Sequence, residues 1–135
     1  MEEAIAVGGL EFVMEFVINA PRENGDTGPG MLIFGTLDRE RVQLLRFDMY
    51  ERGPHFHYGA YSQDMRYNLD PLTLGDGIEW VMGHLRSKFP KLITKAGYEK
   101  LLATINFDAV AAQLPEIERR WRAQSPPDWT GSSST

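Results

Sequence analysis

Between residues 44 and 61 the chain reads LLRFDMYERGPHFHYGAY, and alternate positions carry a guanidinium (Arg46), a carboxylate (Asp48), a phenol (Tyr50) and two imidazoles (His55 and His57). These groups hold anions, orient rings and exchange protons near neutral pH. A carboxylate beside a histidine either stabilises the imidazolium or holds the ring as a base by accepting from one nitrogen, which is what general acid–base chemistry requires. The same pair across two strands is also an ordinary ion pair. Residue types name the candidates, and placement decides between the two.

The segment Glu51-Arg52-Gly53-Pro54 interrupts the alternation and predicts a hairpin turn. A two-residue or a four-residue loop both place Tyr50 opposite His55. In that register Asp48 faces His57, Arg46 faces Gly59, Met49 faces Phe56 and Phe47 faces Tyr58. One side of the hairpin is then apolar, and the other carries Arg46, Asp48, Tyr50, His55 and His57. The earlier stretch LEFVMEFVIN, residues 10 to 19, also alternates. Leu10, Phe12, Met14, Phe16 and Ile18 share one face, and Glu11, Val13, Glu15, Val17 and Asn19 the other. If both segments join one sheet with apolar sides inward, Glu11 and Glu15 lie on the polar side with the histidines.

Three readings of that face stand open. It is a solvated strand surface. It is a polar ligand site in which Arg46 holds an anionic group, Asp48 and His57 move a proton, and His55, Tyr50 and Glu15 complete the pocket. Or His55 and His57, at the i, i+2 spacing of a strand, ligate one metal with Asp48 or Glu15. Two closely spaced histidines fall short of the four protein ligands a structural metal site uses, so folding should not need metal, and no metal or other cofactor is expected. A His-x-His strand also occurs in cupins, but the glutamate at short spacing and the second glycine-plus-histidine motif are missing. Gly8-Gly9 and the later glycines lack a following helix and a Lys-Ser/Thr pair, which excludes a phosphate loop.

The elements that must position these residues are short strands followed by helices. The alternating strand is followed by APRENGDTGPG, residues 20 to 30, a Pro/Gly-rich stretch with no apolar period that predicts a long surface loop able to act as a flap. Strands follow at 31–37, 40–50 and 54–61, with a weaker one at 64–69, and their short connections favour an antiparallel meander of four to five strands. Beyond Pro71 the period becomes helical. Asp76 and Glu79 resemble a capping box ahead of Ile78, Val81, Met82 and Leu85, and Pro90 is expected to stop that helix. A short helix closed by Gly97, a turn near Tyr98–Ile105 and a helix interrupted or kinked at Pro115 complete the chain. The class is α+β, with helices on the sheet's apolar face. Phe12, Met14, Phe16, Leu45, Phe47, Phe56, Trp80, Val81, Leu85 and Leu102 should share one core. Trp121 reads as a core anchor, and His84, one turn from Trp80, as a packed or rim residue.

With 135 residues, 42% hydrophobic and 24% charged, the chain suits one domain that folds in water, here residues 1–124 with a flexible tail at 125–135. The absence of cysteine removes disulfides, thiol nucleophiles and iron–sulfur clusters together. A formal charge of −5 argues against a broad nucleic-acid surface, and no stretch suits a membrane span or a secretory signal, so a cytoplasmic location is the default expectation.

The segments LLRFDMYERGPHFHY, PLTLGDGIEWVMGHL and AGYEKLLATINFDAVAAQLPEIE together resemble small bacterial domains of unknown function over residues 10 to 120. The Arg46 to His57 region is also similar to TumE-type toxin proteins, which combine a small sheet with His- and Arg-rich strands. The expected function is binding of a polar, anionic small molecule at the Arg/Asp/His face, with acid–base catalysis within the chemical reach of its residues. The alternative is a non-catalytic interaction or oligomerisation module, as an operon partner or toxin–antitoxin component.

Overall fold

The structure is a computed structural model that describes residues 2–59 and 65–129. Six strands form one antiparallel sheet in sequence order: β1 (Glu2–Val7), β2 (Leu10–Ala20), β3 (Asp26–Leu37), β4 (Glu40–Asp48), β5 (His55–Tyr58) and β6 (Arg66–Asn68). This is the expected meander, with one strand more than anticipated. The additional strand is β1, which pairs with β2 from Val7↔Leu10 to Glu2↔Glu15. Its turn is Gly8-Gly9, with φ of 60° and 90°, the left-handed pair that a two-residue hairpin demands.

The expected long loop after β2 is much shorter. A 3-10 turn (Pro21–Glu23) and the positive-φ residues Asn24 and Gly25 connect the strands, and β3 begins at Asp26. The Gly-Pro-Gly stretch is strand because its neighbours come too close for side chains. A Cβ on Gly28 would lie 2.6 Å from the Met49 carbonyl oxygen and 2.7 Å from Tyr50 Cα. Pro29 pairs with Phe16, and its carbonyl accepts the Met49 N–H at 2.8 Å. The connector is also fastened down. Buried Asp26 accepts N–H bonds from Thr27 (2.9 Å), Gly53 (2.8 Å) and Arg52 (3.2 Å). A freely closing flap at 20–30 is therefore not the arrangement.

The same contacts correct the hairpin register. Asp48 pairs with His55, Phe47 with Phe56, Arg46 with His57 and Leu45 with Tyr58. After Asp48 the chain does not turn at once. It continues beside β3, Met49 bonding Pro29 and the Glu51 N–H reaching the Thr27 carbonyl at 2.9 Å, and reverses only where Asp26 gathers Arg52 and Gly53. The connection is longer by two residues than the turn residues imply. A two-residue shift changes every partner but no face, because side chains alternate with period two. Ile18 does depart from its assigned face. The β2–β3 register shifts between Val17 and Ala20, Asn19 adopts φ 55°, and Ile18 is 65% exposed.

Helices follow the sheet. Asp70 caps a single turn, α1 (Pro71–Leu74), and Asp76 accepts the Glu79 N–H at 3.2 Å at the start of α2 (Gly77–Lys95). Pro90 kinks this helix rather than stopping it: Lys88 leaves helical geometry (φ −146°, ψ 24°), and a second segment runs on to Lys95 before Gly97 (φ 93°). A 3-10 turn (Glu99–Thr104) leads to Asn106, which caps α3 (Phe107–Ala123), a helix that runs through Pro115. The longer helices cover the apolar face. Phe12, Met14, Leu45, Phe47, Val81, Leu85 and Trp121 fall in one buried cluster, with Phe56, Trp80 and Leu102 half-buried at its edge. Phe16 is buried beside the Trp129 ring, with centroids 5.2 Å apart. Residues 130–135 of the expected tail lie outside the described residues.

Phe47 sits near the C-terminal end of β4, 2% exposed, with its ring stacked on Phe56 at 6.0 Å. Phe47→Ala is expected to cost about 3–5 kcal/mol, read as a lower urea midpoint at unchanged slope.

Candidate functional site

Strand pairing lays the polar face out as two rows. One runs Glu15, Gly30, Asp48, His55, Asn68, and the next Val13, Leu32, Arg46, His57, Arg66. Directly paired residues share a face, so an imidazole in each row stands between charged or polar neighbours. Arg46, Asp48, His55, His57, Glu15 and Tyr50 are all brought to this region, as expected. Glu11 is not part of it, and forms an exposed pair with Arg41 at 2.7 Å. Arg66 was not singled out in the sequence. It enters through β6, whose alternation of Arg66 and Asn68 around Tyr67 was the available signal.

This part of the face is not solvated. Asp48 and His55 have no exposed surface, and His57 retains 4%. The reading of these positions as a solvated strand surface is therefore overturned. Arg46 and Glu15 are mostly covered and form the rim. Tyr50 is buried with its ring edge-on to His55, centroids 5.8 Å apart.

The Asp48 carboxylate is the centre of the cluster. Arg46 Nε donates to Oδ2 at 2.9 Å and to Oδ1 at 3.2 Å, and an Arg46 terminal nitrogen lies 3.9 Å from Glu15. His55 Nε2 stands 3.1 Å from Asp48 Oδ2, and His57 Nε2 stands 3.9 Å from the same oxygen. The other nitrogen of His55, Nδ1, is 2.9 Å from the Gly53 carbonyl, which only accepts, so Nδ1 carries a proton. The two rings meet almost perpendicularly, 5.1 Å apart. Gly30 lets the carboxylates converge, since a Cβ there would lie 3.1 Å from Glu15 Oε2 and 3.5 Å from Asp48 Oδ1.

Electrostatics separate the groups. Burial pushes the Asp48 carboxyl up, but His55 and Arg46 outweigh it and hold its pKa below the usual value. Burial raises Glu15, partly opposed by Arg46. Burial lowers His57 to about 4; neighbouring His55 adds to this, Asp48 opposes it, and Arg66 and Arg46 lower it further. His57 is thus a neutral base at physiological pH. Arg66 is oriented by Asn68 at 2.9 Å and by both Glu23 oxygens at 2.9 and 3.0 Å. Elsewhere, His84 lies against Trp80, its Nδ1 2.7 Å from that residue's carbonyl, and the charges around Trp121 are taken up in ion pairs such as Arg122–Glu118 at 3.0 Å.

A family model for a domain of unknown function, DUF7700, matches residues 4–121, and the chain belongs to that family. No match was found among curated proteins or among solved structures. The similarity to TumE-type toxins has no counterpart in these comparisons. Among the described residues, no helix is long and apolar enough to cross a membrane.

Two outcomes follow. Asp48→Ala strips a buried carboxylate from Arg46 and His55 and is expected to destabilise the fold by about 3 kcal/mol, measured by urea denaturation. His57 has a folded pKa of about 4 against an ordinary value of 6.5, so between those values the unfolded chain binds the additional proton. Stability should fall as pH drops from about 6.5 toward 4, and His57→Gln should flatten that part of the profile.

Proposed function

We propose that this domain binds a small polar anion at the mouth of the cluster, over the row Arg46, His57, Arg66. The observation that carries this reading is the placement of two guanidiniums on either side of His57, the least buried of Asp48, His55 and His57, in direct register across β4, β5 and β6. Guanidiniums suit carboxylate and phosphate because their donors are planar and always charged. A neutral imidazole between them supplies a donor or an acceptor as the ligand requires. Burial of the Asp48 cluster supports a functional reason for the face, since apolar residues in those positions would stabilise a fold equally well or better. Arg46 is held against Asp48 and Arg66 against Glu23, so both cations are oriented before a ligand arrives. Proton transfer to a bound molecule would run through His57, the neutral base of the row.

The test is a titration of chelator-treated protein with inorganic phosphate and with malonate, followed by NMR of the arginine Nε–H groups and the imidazoles. Saturable shifts at Arg46, His57 and Arg66 are expected at millimolar or lower ligand. Arg66→Gln, at the rim and away from the core, should weaken binding about tenfold or more while leaving the melting curve in place. Absence of saturable shifts with both ligands, or binding indifferent to Arg66→Gln, removes the reading.

A further inference from the structure

We propose that Asp48, His55 and His57 bind a divalent transition-metal ion through one carboxylate oxygen and two Nε2 atoms. This rests on the reading of the same face as a ligand site and names a cation as a ligand of its buried part, beneath the proposed anion row.

His55 Nδ1 is 2.9 Å from the Gly53 carbonyl and must donate to it. In the neutral ring the Nε2 of His55 is then a bare lone pair, and it is fully buried without a hydrogen bond. Its nearest charged neighbour is Asp48 Oδ2, at 3.1 Å. Arg46 donates to both Asp48 oxygens and favours the ionised carboxylate; a lone pair facing such an oxygen inside a protein is repulsive, and two species relieve it. Either His55 takes a second proton and becomes an imidazolium, or a cation lies between nitrogen and oxygen. A histidine whose Nδ1–H is held by a backbone carbonyl while Nε2 points at a carboxylate is also the arrangement that fixes a metal-ligating tautomer.

The position of His57 decides between the two. An imidazolium at His55 accounts for the 3.1 Å contact and for the pull of His55 on the Asp48 carboxylate, but not for the approach of a second imidazole to the same oxygen. The His57 Nε2 also approaches Asp48 Oδ2, at 3.9 Å, and the three ligand atoms all lie within 4.8 Å of one another. Metal–ligand bonds of about 2.0–2.2 Å place tetrahedral ligand atoms roughly 3.3–3.6 Å apart, so small rotations of the rings bring all three to one ion. The charge balance agrees: Glu15 and Asp48 border the same glycine beside the guanidinium of Arg46, and Arg66, across from His57, is paired with Glu23. Two imidazoles with one carboxylate favour zinc and its first-row neighbours over magnesium or calcium, which prefer oxygen alone. Three protein ligands leave a position to which an oxygen of the proposed anion would bind.

The test uses the full chain, stripped with a chelator and titrated with zinc chloride, with magnesium chloride in parallel. Long-range proton–nitrogen NMR of the wild-type protein should show one equivalent of zinc moving the Nε2 signals of both His55 and His57, with the His55 Nδ1 proton retained. Magnesium should move neither. A His55 ring that carries protons on both nitrogens and ignores zinc would mean a plain ion pair with Asp48 and would overturn the proposal. By calorimetry, Asp48→Asn and His57→Gln should each weaken zinc binding about tenfold or more. Wild-type affinity in both would place the zinc elsewhere and overturn the assignment. The wild-type NMR needs no variant, so a misfolded Asp48→Asn leaves the question decidable. Phosphate titration of the same stripped protein separates the two readings. Phosphate binding without a zinc response retains the anion row and removes the metal, and a zinc response without phosphate binding does the reverse.

Discussion

The geometry of the site depends on how closely the chain after β4 approaches Gly28. With no side chain there, the Met49–Tyr50 backbone lies against β3 where a Cβ would meet it at 2.6–2.7 Å. Met49 and Glu51 can then bond to the carbonyls of Pro29 and Thr27, and the connection between the paired strands is two residues longer than its turn sequence suggests. That longer connection sets Asp48 across from His55 and Arg46 across from His57. In the shorter turn Asp48 would stand across from His57, Arg46 would meet a glycine, and the Arg46–His57–Arg66 row would not form. A methyl group at position 28 would thus act on the chemistry through register, without touching a functional side chain.

Burying an aspartate and two histidines in a small domain opposes folding unless each charge is compensated. Here the compensation is concentrated on Asp48, which takes two contacts from Arg46 and faces both rings. Its pKa falls although burial pushes it upward, so charge partners outweigh desolvation at this residue. His57 shows the opposite balance, with burial and neighbouring cations exceeding the attraction of the carboxylate. Asp48 is therefore held ionised by its partners, while burial keeps the adjacent imidazole neutral against the pull of the carboxylate. Two titratable groups driven apart in this way supply distinct chemical roles within a few ångströms.

The faces of β2, β4 and β5 were legible because a period-two pattern needs only local sequence. Phe12, Met14, Phe47 and Phe56 lie on the helix-covered side, and Arg46, Asp48, His55 and His57 share the other. Their partners were not legible, because turn length is decided by Asp26, which collects N–H groups 26 and 27 residues further along the chain. The strand at Gly28-Pro29-Gly30 was hidden for a related reason: glycine and proline read locally as loop, while here glycine answers a close contact with another segment. Strand β1 left a clearer trace in the Gly8-Gly9 pair. Burial of the polar face had no local signature, since alternation separates two faces but does not say what covers either.

Asp26 links these observations to the chemistry. Its carboxylate accepts the Gly53 N–H at 2.8 Å, and the carbonyl of that glycine receives the His55 Nδ1 proton at 2.9 Å. Asp48 lies on the far side of the ring, 3.1 Å from Nε2. The imidazole is thus held between two carboxylates, one acting through a backbone residue and one directly. The indirect contact chooses the tautomer, and the direct one determines what the remaining nitrogen must meet. A backbone carbonyl accepts but never donates, so proton exchange with solvent cannot exchange the roles of the two nitrogens while the loop stays in place. Residues 26 and 53, outside the set that the sequence marked for chemistry, therefore fix Nε2 as the His55 nitrogen that faces Asp48 and any ligand there.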